Sequence, residues 1–253
     1  MKDLTIIKIG GSVLTEKKGS GNLRRRLIKK IAKYLKPVSG KQGMIVVLGG
    51  GAKVHAAAKK YGLKLGARSK RQILGALKTH LLAKQMQMDV SVILSNYLPV
   101  VPLQTNNFFF ADRRDAVRLE NASYLTELLK KNLIPVFYGD MIYHPTKNFV
   151  ILSGDRISMI LARKLKAAKV VFATDVDGIY SDPKHLGEEK YLIRNISIQK
   201  LKSLIEKLSS FKARDTTGEL PGKLREILKK PKSTDVYILN GLRSKTSGTK
   251  IYG

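Results

Sequence analysis

The chain has 253 residues, 43% of them hydrophobic, enough to bury a sizeable core as one large α/β domain or two small ones. It has no cysteine, which excludes disulfides and thiolate metal sites, and no apolar run of about 18 residues that could span a bilayer. Lysine and arginine number 48 against 19 acidic residues, and the net charge of +29 raises nucleic-acid or anionic-membrane binding beside a general basic bias that favours anionic substrates.

The N-terminus enters a strand pattern directly and shows no signal peptide, so a soluble cytoplasmic protein is expected. Ile6–Ile9 is an apolar run suited to a parallel strand covered on both faces, and Gly10-Gly11-Ser12 follows it. The glycines let backbone N–H groups approach an anion, and Lys8 and Lys17 stand on either side of the turn. This suits a polyphosphate, positioned by the backbone and neutralised by the lysines as charge moves. The plain alternative is a strand–glycine turn without a ligand.

After a loop over Thr15–Gly21, Asn22–Lys36 reads as a helix with Leu23, Leu27, Ile31 and Leu35 as its apolar stripe. Its cations carry no interleaved aromatic residues, which favours a solvated face over base stacking. Met44–Leu48 is a second apolar run and ends in Gly49-Gly50-Gly51. A helix over Ala52–Tyr61 follows, with His55 expected in its first turn. Two buried strands ending in glycine turns suggest two facing phosphate sites, one for a donor and one for an acceptor.

Ser69–Ser95 is a long helical region, either bent or broken. Most of Ile73, Leu74, Leu77, Leu81, Leu82, Met86 and Met88 are expected in the core, with some open to lining a pocket near His55. Tyr97–Leu103 is a strand that Pro99 and Pro102 demote to an irregular or edge position. Phe108–Phe110 is a turn or short strand, Asn121–Lys131 a helix, and Leu133–Tyr138 a buried strand ending at Gly139-Asp140. Met141–Leu152 is a hairpin leading to Ser153-Gly154-Asp155, which opens a helix to about Lys166. That start is ordinary capping chemistry unless Lys8 and Lys17 converge on Asp155. Val170–Ala173 is a strand running into Thr174–Tyr180, and Ser197–Ser209 is a helix. Asp215–Lys223 reads as a loop entering a helix that ends near Lys230, and Val236–Leu239 and Thr249–Tyr252 are the last strands. The alternation gives an α/β fold, a single three-layer αβα sandwich over residues 1–253 with a mainly parallel central sheet. Its ligands should sit at the carboxyl ends of the strands.

Lys8-Ile9-Gly10-Gly11-Ser12, Gly49-Gly50-Gly51, Tyr138-Gly139-Asp140, Ser153-Gly154-Asp155, Thr174-Asp175-Val176-Asp177-Gly178-Ile179-Tyr180, and Asp215-Thr216-Thr217-Gly218 with Gly222-Lys223 occur in that order. In this the chain resembles the amino acid kinase superfamily over nearly its whole length. Within it, a histidine four residues after the third glycine, here His55, most resembles the isopentenyl phosphate kinase family. Fosfomycin kinase shares that histidine.

The resemblance implies ATP as phosphoryl donor, Mg²⁺ carried on the nucleotide phosphates, isopentenyl phosphate as acceptor and a homodimer. It places an acceptor lobe at about 1–150 and a nucleotide lobe at about 151–253. It implies that Lys8 and Lys17 stabilise the transferring group, that Asp155 orients the lysines, and that His55 binds the acceptor phosphate beside Gly50 and Gly139. Gly10, Gly11, Ser12, Gly51, Asp175, Gly218 and Lys223 would contact ATP. Lys18 is adjacent to Lys17 and could take its place. No protein-held metal, specific nucleic acid or membrane partner is implied.

The chain departs from the family's usual His-Gly-Gly-Gly-Ser-Phe-Gly-His, having Leu48, Ala52, Lys53 and Val54 instead. Val54 puts a β-branched residue where a glycine usually lets the acceptor approach, and Lys53 adds a cation beside the acceptor or points to solvent. Besides a kinase, two readings stay open: a nucleic-acid-binding protein on a kinase scaffold, and a catalytically silent regulator.

Overall fold

Strand β1 (Thr5–Ile9) is buried along its whole length and sits inside the sheet. The computed structural model describes residues 4–16, 21–182, 185–210, 219–243 and 248–253. Lys17, Lys18 and Gly218, three of the expected site residues, lie outside the described residues, as does Asp215–Thr217. A single turn of helix, α1 (Gly11–Leu14), and then α2 (Arg25–Leu35) lead to β2 (Met44–Leu48). Helices α3 (Gly51–Lys60) and α4 (Lys70–Ser95) precede β3 (Val100–Pro102), the ribbon β4 (Phe109–Ala111) and β5 (Val117–Leu119), and α5 (Ala122–Lys130). Next come β6 (Ile134–Tyr138), the hairpin β7 (Asp140–His144) and β8 (Asn148–Leu152), and α6 (Gly154–Lys164). The second half adds β9 (Lys169–Thr174), the pair β10 (Ile179–Tyr180) and β11 (Leu192–Ile193), and β12 (Asn195–Ser197). It ends with α7 (Ile198–Ser210), α8 (Glu219–Ile227), β13 (Asp235–Asn240) and β14 (Gly248–Tyr252).

Eight strands form one sheet in the order β12-β14-β13-β9-β1-β2-β6-β3, parallel at every pairing except β13 with β14. Alternation along β1 sends Ile6 to one face and Ile7 and Ile9 to the other. Ile6 joins Ile45, Phe172 and Val236 beneath α5, α6, α7 and α8, which contribute Leu125, Ile157, Leu201 and Leu224. Ile7 joins Val46 and Val136 beneath α2 and α4, which contribute Ile28, Leu35, Val90 and Leu94. Three layers result, as the alternation of patterns requires.

Several expectations shift. Helix α2 begins at Arg25 because Leu23 pairs with Thr15 in an isolated bridge, which keeps the residues before it extended. Helix α4 is one 26-residue helix, started by a capping box between Ser69 and Gln72. Its inward face is mostly small or polar, with Gly75, Ala76, Thr79, Ala83, Gln87 and Ser91 buried. Leu74, Leu77, Leu81, Leu82 and Met88 point outward, so the expected core placement of these residues is wrong. Strand β3 is a three-residue sheet edge, in keeping with its prolines.

The small inward residues let α4 come close to its neighbours. A Cβ on Gly75 would lie 2.2 Å from Tyr61 Cγ. Gly75→Ala should therefore lower stability by about 1–3 kcal/mol through overpacking, seen as a lower denaturant midpoint. Adding Tyr61→Ala to the same chain should return part of that loss; full additivity of the two effects would show that the contact is not the cause.

Candidate active site

Strands β1 and β2 are neighbours, so the glycine turns that follow them meet backbone to backbone. A Cβ on Gly49 would fall 2.5 Å from Gly11 N, and one on Gly11 would fall 2.6 Å from Gly51 N. Gly51 has φ +68, a conformation that disfavours a side chain. Thr15 ties the turns together: its hydroxyl donates to Gly11 O at 3.0 Å and accepts from Ala52 N at 3.1 Å. The two glycine segments expected to face each other thus form one continuous floor.

Lys8 projects from β1 toward the α6 face. Its Nζ lies 2.9 Å from Asp155 Oδ1, and Lys223 Nζ lies 3.2 and 3.1 Å from Asp155 Oδ1 and Oδ2. Lys8 is 6% exposed and Lys223 4%. Asp155 stands in the first turn of α6, whose N-cap Ser153 accepts from Arg156 N at 3.2 Å. Gly154 makes this possible: a Cβ there would come 3.1 Å from Leu48 O and 3.5 Å from Lys8 Cε. Burial acts to raise the Asp155 carboxyl, but the charges of Lys8 and Lys223 outweigh it and hold it below the usual carboxylate range. Lys223 is pushed down to about 8, by burial first and then by the charge of Lys8, with Asp155 opposing.

Lys8 therefore converges on Asp155 as expected, and its companion among the described residues is Lys223. The sequence placed Lys223 at the end of a loop; it lies inside α8 instead, because the helix has already begun at Glu219. The signal was the Gly222-Lys223 pair, but its partner is 68 residues away.

The lysines open onto a cavity of about 360 Å³. Lys8, Gly11, Gly50, His55, Gly139, Asp155 and Lys223 all line it, which brings seven sequence-nominated residues together. Its other end is apolar, walled by Val54, Ala58, Ala83, Met141 and Ile151. His55 is exposed at the edge, one residue further into α3 than expected because that helix starts at Gly51. Val54, standing where a glycine was expected, packs so that a Cβ on Gly50 would be 3.1 Å from its Cγ1. Lys53 is exposed and borders an adjoining cleft with Asn22 and Asp89, which shares Gly50 and Val54 with the cavity.

One pairing at the cavity was not legible in sequence. His80 of α4 lies 2.8 and 3.0 Å from the Asp140 carboxylate oxygens, one of which also accepts from Met141 N at 2.7 Å. Burial raises the Asp140 carboxyl, with His80 and that N–H opposing. The contact braces α4 against the hairpin.

Gly10, Ser12, Gly51 and Asp175 do not line the cavity. Gly10 and Asp175 are tied to the end of β9 instead: Gly10 N donates to Ala173 O at 2.8 Å, and Thr174 Oγ1 donates to Asp175 Oδ1 at 3.2 Å. Beside them, buried Asp177 accepts from Asn240 Nδ2 at 3.0 Å, Tyr180 OH at 3.1 Å and Arg243 at 3.3 Å. This second cluster holds the turn after β9 to the end of β13.

Paired glycine turns under a buried cation cluster, at the carboxyl edge of a parallel sheet, define a phosphate-handling α/β protein. The chain belongs to the amino acid kinase family, whose model matches residues 3–240. It is 31% identical over 250 residues to the isopentenyl phosphate kinase of Methanocaldococcus jannaschii, covering 94% of this chain and 91% of that one. It is also 31% identical to that of Thermoplasma acidophilum, covering 94% and 92%. An X-ray structure of isopentenyl phosphate kinase superposes with a TM-score of 0.78 at 23% identity, covering 98% of this chain and all of that one. The T. acidophilum isopentenyl phosphate kinase product complex gives a TM-score of 0.73 at 26% identity over 98% and 99%.

The Lys223 ammonium is charged below about 8 and neutral above it. Phosphoryl transfer should therefore fall as pH rises through about 8, and Lys223→Arg should move that limb upward. In the unfolded chain this group stays protonated to its ordinary 10.5, so its contribution to stability rises with pH between 8 and 10.5. A pH–rate profile run beside thermal unfolding separates the two effects. An alkaline limb that Lys223→Arg leaves in place would assign it to another group.

Proposed function

We propose that this chain transfers the γ-phosphoryl group of ATP to isopentenyl phosphate, giving isopentenyl diphosphate and ADP in archaeal-type isoprenoid biosynthesis through mevalonate. The observation that carries this is the two-ended cavity. Buried ammonium groups at one end suit a phosphate, and apolar walls at the other suit a short hydrocarbon tail. Relatives named for that reaction support it.

In this reading an oxygen of the acceptor phosphate attacks Pγ, and the bond from Pγ to the β-phosphate oxygen breaks. The attacking oxygen is already anionic, so the site needs positioning and charge neutralisation rather than a strong base. Lys8 and Lys17 stabilise the charge on the moving group, and Asp155 fixes Lys8 and Lys223. Gly10, Gly11, Ser12, Gly51, Asp175, Gly218 and Lys223 serve ATP. Gly50, His55 and Gly139 serve the acceptor, in a lobe of about residues 1–150 set against a nucleotide lobe of about 151–253. Among the described residues no three His, Asp or Glu side chains are grouped to hold a metal ion. Mg²⁺ carried on the nucleotide's phosphates would supply charge neutralisation for the transferring group. No helix among the described residues is long and apolar enough to cross a membrane, and the proposed setting is the cytoplasm.

The test is ATP consumption across isopentenyl phosphate, dimethylallyl phosphate, longer prenyl phosphates and fosfomycin. His55→Ala should lower kcat/KM for isopentenyl phosphate by about 10²-fold with little change in ATP binding, and His55→Gln, which keeps a donor, should lose less. Wild-type efficiency in His55→Ala would remove the acceptor assignment.

A homodimer is proposed on the outer face of α4, where Leu74, Leu81 and Val92 are 53%, 61% and 61% exposed on one helix. So much apolar surface on one helix is what an isologous helix–helix interface covers. Leu77→Asp with Leu81→Asp should give a folded monomer in sedimentation velocity. An unchanged dimer would place the interface elsewhere.

A further inference from the structure

A second cavity, of about 400 Å³, opens on the α2 face of the sheet and shares no lining residue with the cavity described above. Its origin is the strand alternation. Val170, Phe172 and Ile238 are buried beneath the helices of the opposite face, so Val171 and Leu239 must face this side. Helix α2 covers β1 but stops short of β9 and β13, and both side chains stay half-buried. Tyr34, 72% exposed, and Ile31 form the opposing wall. The trough runs along β9 from Lys169 to Ala173, about 13 Å at the rise of a strand.

Charge selects the occupant. No aspartate or glutamate is among the residues lining the trough, while Lys169 stands at one end and Arg243 at the other. Arg243 is engaged by Asp177 at 3.3 Å. Lys169 is exposed, and Asp235, its register partner on β13, is engaged by Lys250 at 2.7 Å. We propose that this trough binds a single-chain amphipathic anion, its carboxylate or phosphate head at Lys169 and its hydrocarbon tail along Val171 and Leu239 toward Ala173. Apolar walls and a cationic end, within the volume usual for small-molecule sites, favour such a ligand over a neutral one. The site is independent of the acceptor cavity and of the acceptor's identity. Ile7 and Ile9 border the trough and flank Lys8 on β1, so an occupant touches the strand that carries the catalytic floor.

The experiment is calorimetric titration of the whole protein with decyl phosphate and with decanoate, each below its micelle-forming concentration, and with neutral decyl maltoside. Binding of one or both anions, with the maltoside weaker, is expected, and the stronger of the two anions names the head group. Lys169→Glu and Tyr34→Glu, both remote from the phosphoryl-transfer site, should each weaken binding about five- to tenfold and leave turnover unchanged. His55→Ala should bind as the wild type does. No saturable binding, equal binding of the maltoside, or binding lost in His55→Ala but kept in both trough variants would overturn the proposal. The last result would place the probe in the acceptor cavity instead.

Discussion

A carboxylate held between two ammonium groups, nearly out of solvent, is the interaction on which the rest of the site depends. Burying either lysine alone would be costly, and Asp155 can compensate only one of them. The triad carries one uncompensated positive charge at the wall of a cavity, an arrangement that gives up stability and gains from an anionic ligand. It also links three distant elements. Strand β1 presents Lys8, the first turn of α6 presents Asp155, and α8 presents Lys223 across 68 residues of sequence. No helix face or strand run requires those three groups to meet; only the sheet order does.

The glycines serve that meeting. Gly154 lets the start of α6 approach the carbonyl of Leu48 and the stem of Lys8, and Gly11 and Gly49 let two turns share a floor. These are close approaches of backbone to backbone, where a methyl group has nowhere to go. Val54 is instructive beside them. A β-branched residue at that place does not close the cavity, because it packs against Gly50 and joins the apolar wall. The freedom lost by having no glycine there is partly recovered by the glycine four residues earlier.

What was legible in sequence follows the same division. The strands, their glycine turns, the layers and the parallel sheet came from local periodicity, and the motif order carried the family. Seven nominated residues line one cavity: Gly11, Gly50, Gly139 and Asp155 stand where a strand ends or a helix begins, Lys8 lies near the end of β1, and His55 and Lys223 lie further along α3 and α8. The misreadings are nonlocal. Most of seven apolar residues in α4 were expected in the core and five are exposed, because periodicity cannot say which of two apolar faces turns inward. The small face did, because Gly75 and its neighbours admit a closer approach. The His80–Asp140 and Asp177–Asn240 pairs join residues about sixty apart and had no local signature.

The cations behind the net charge of +29 are spread along the whole chain. At physiological ionic strength, exposed charges are screened beyond about 8 Å, so most of the surplus acts only on encounter. Ion pairs such as Glu127–Lys130 are solvent-facing and add little to stability. At the cavity the balance reverses: Asp140, Asp155 and Glu226 line it against Lys8 and Lys223. Anion binding there cannot come from net charge. It comes from direction, because Asp155 is occupied by the two lysines, Asp140 by His80 and Glu226 by Lys229, which leaves the ammonium groups as what the cavity presents to a phosphate. The surface surplus can raise the rate at which any anion arrives, but discrimination between anions rests on a handful of buried donors and the shape of the apolar end.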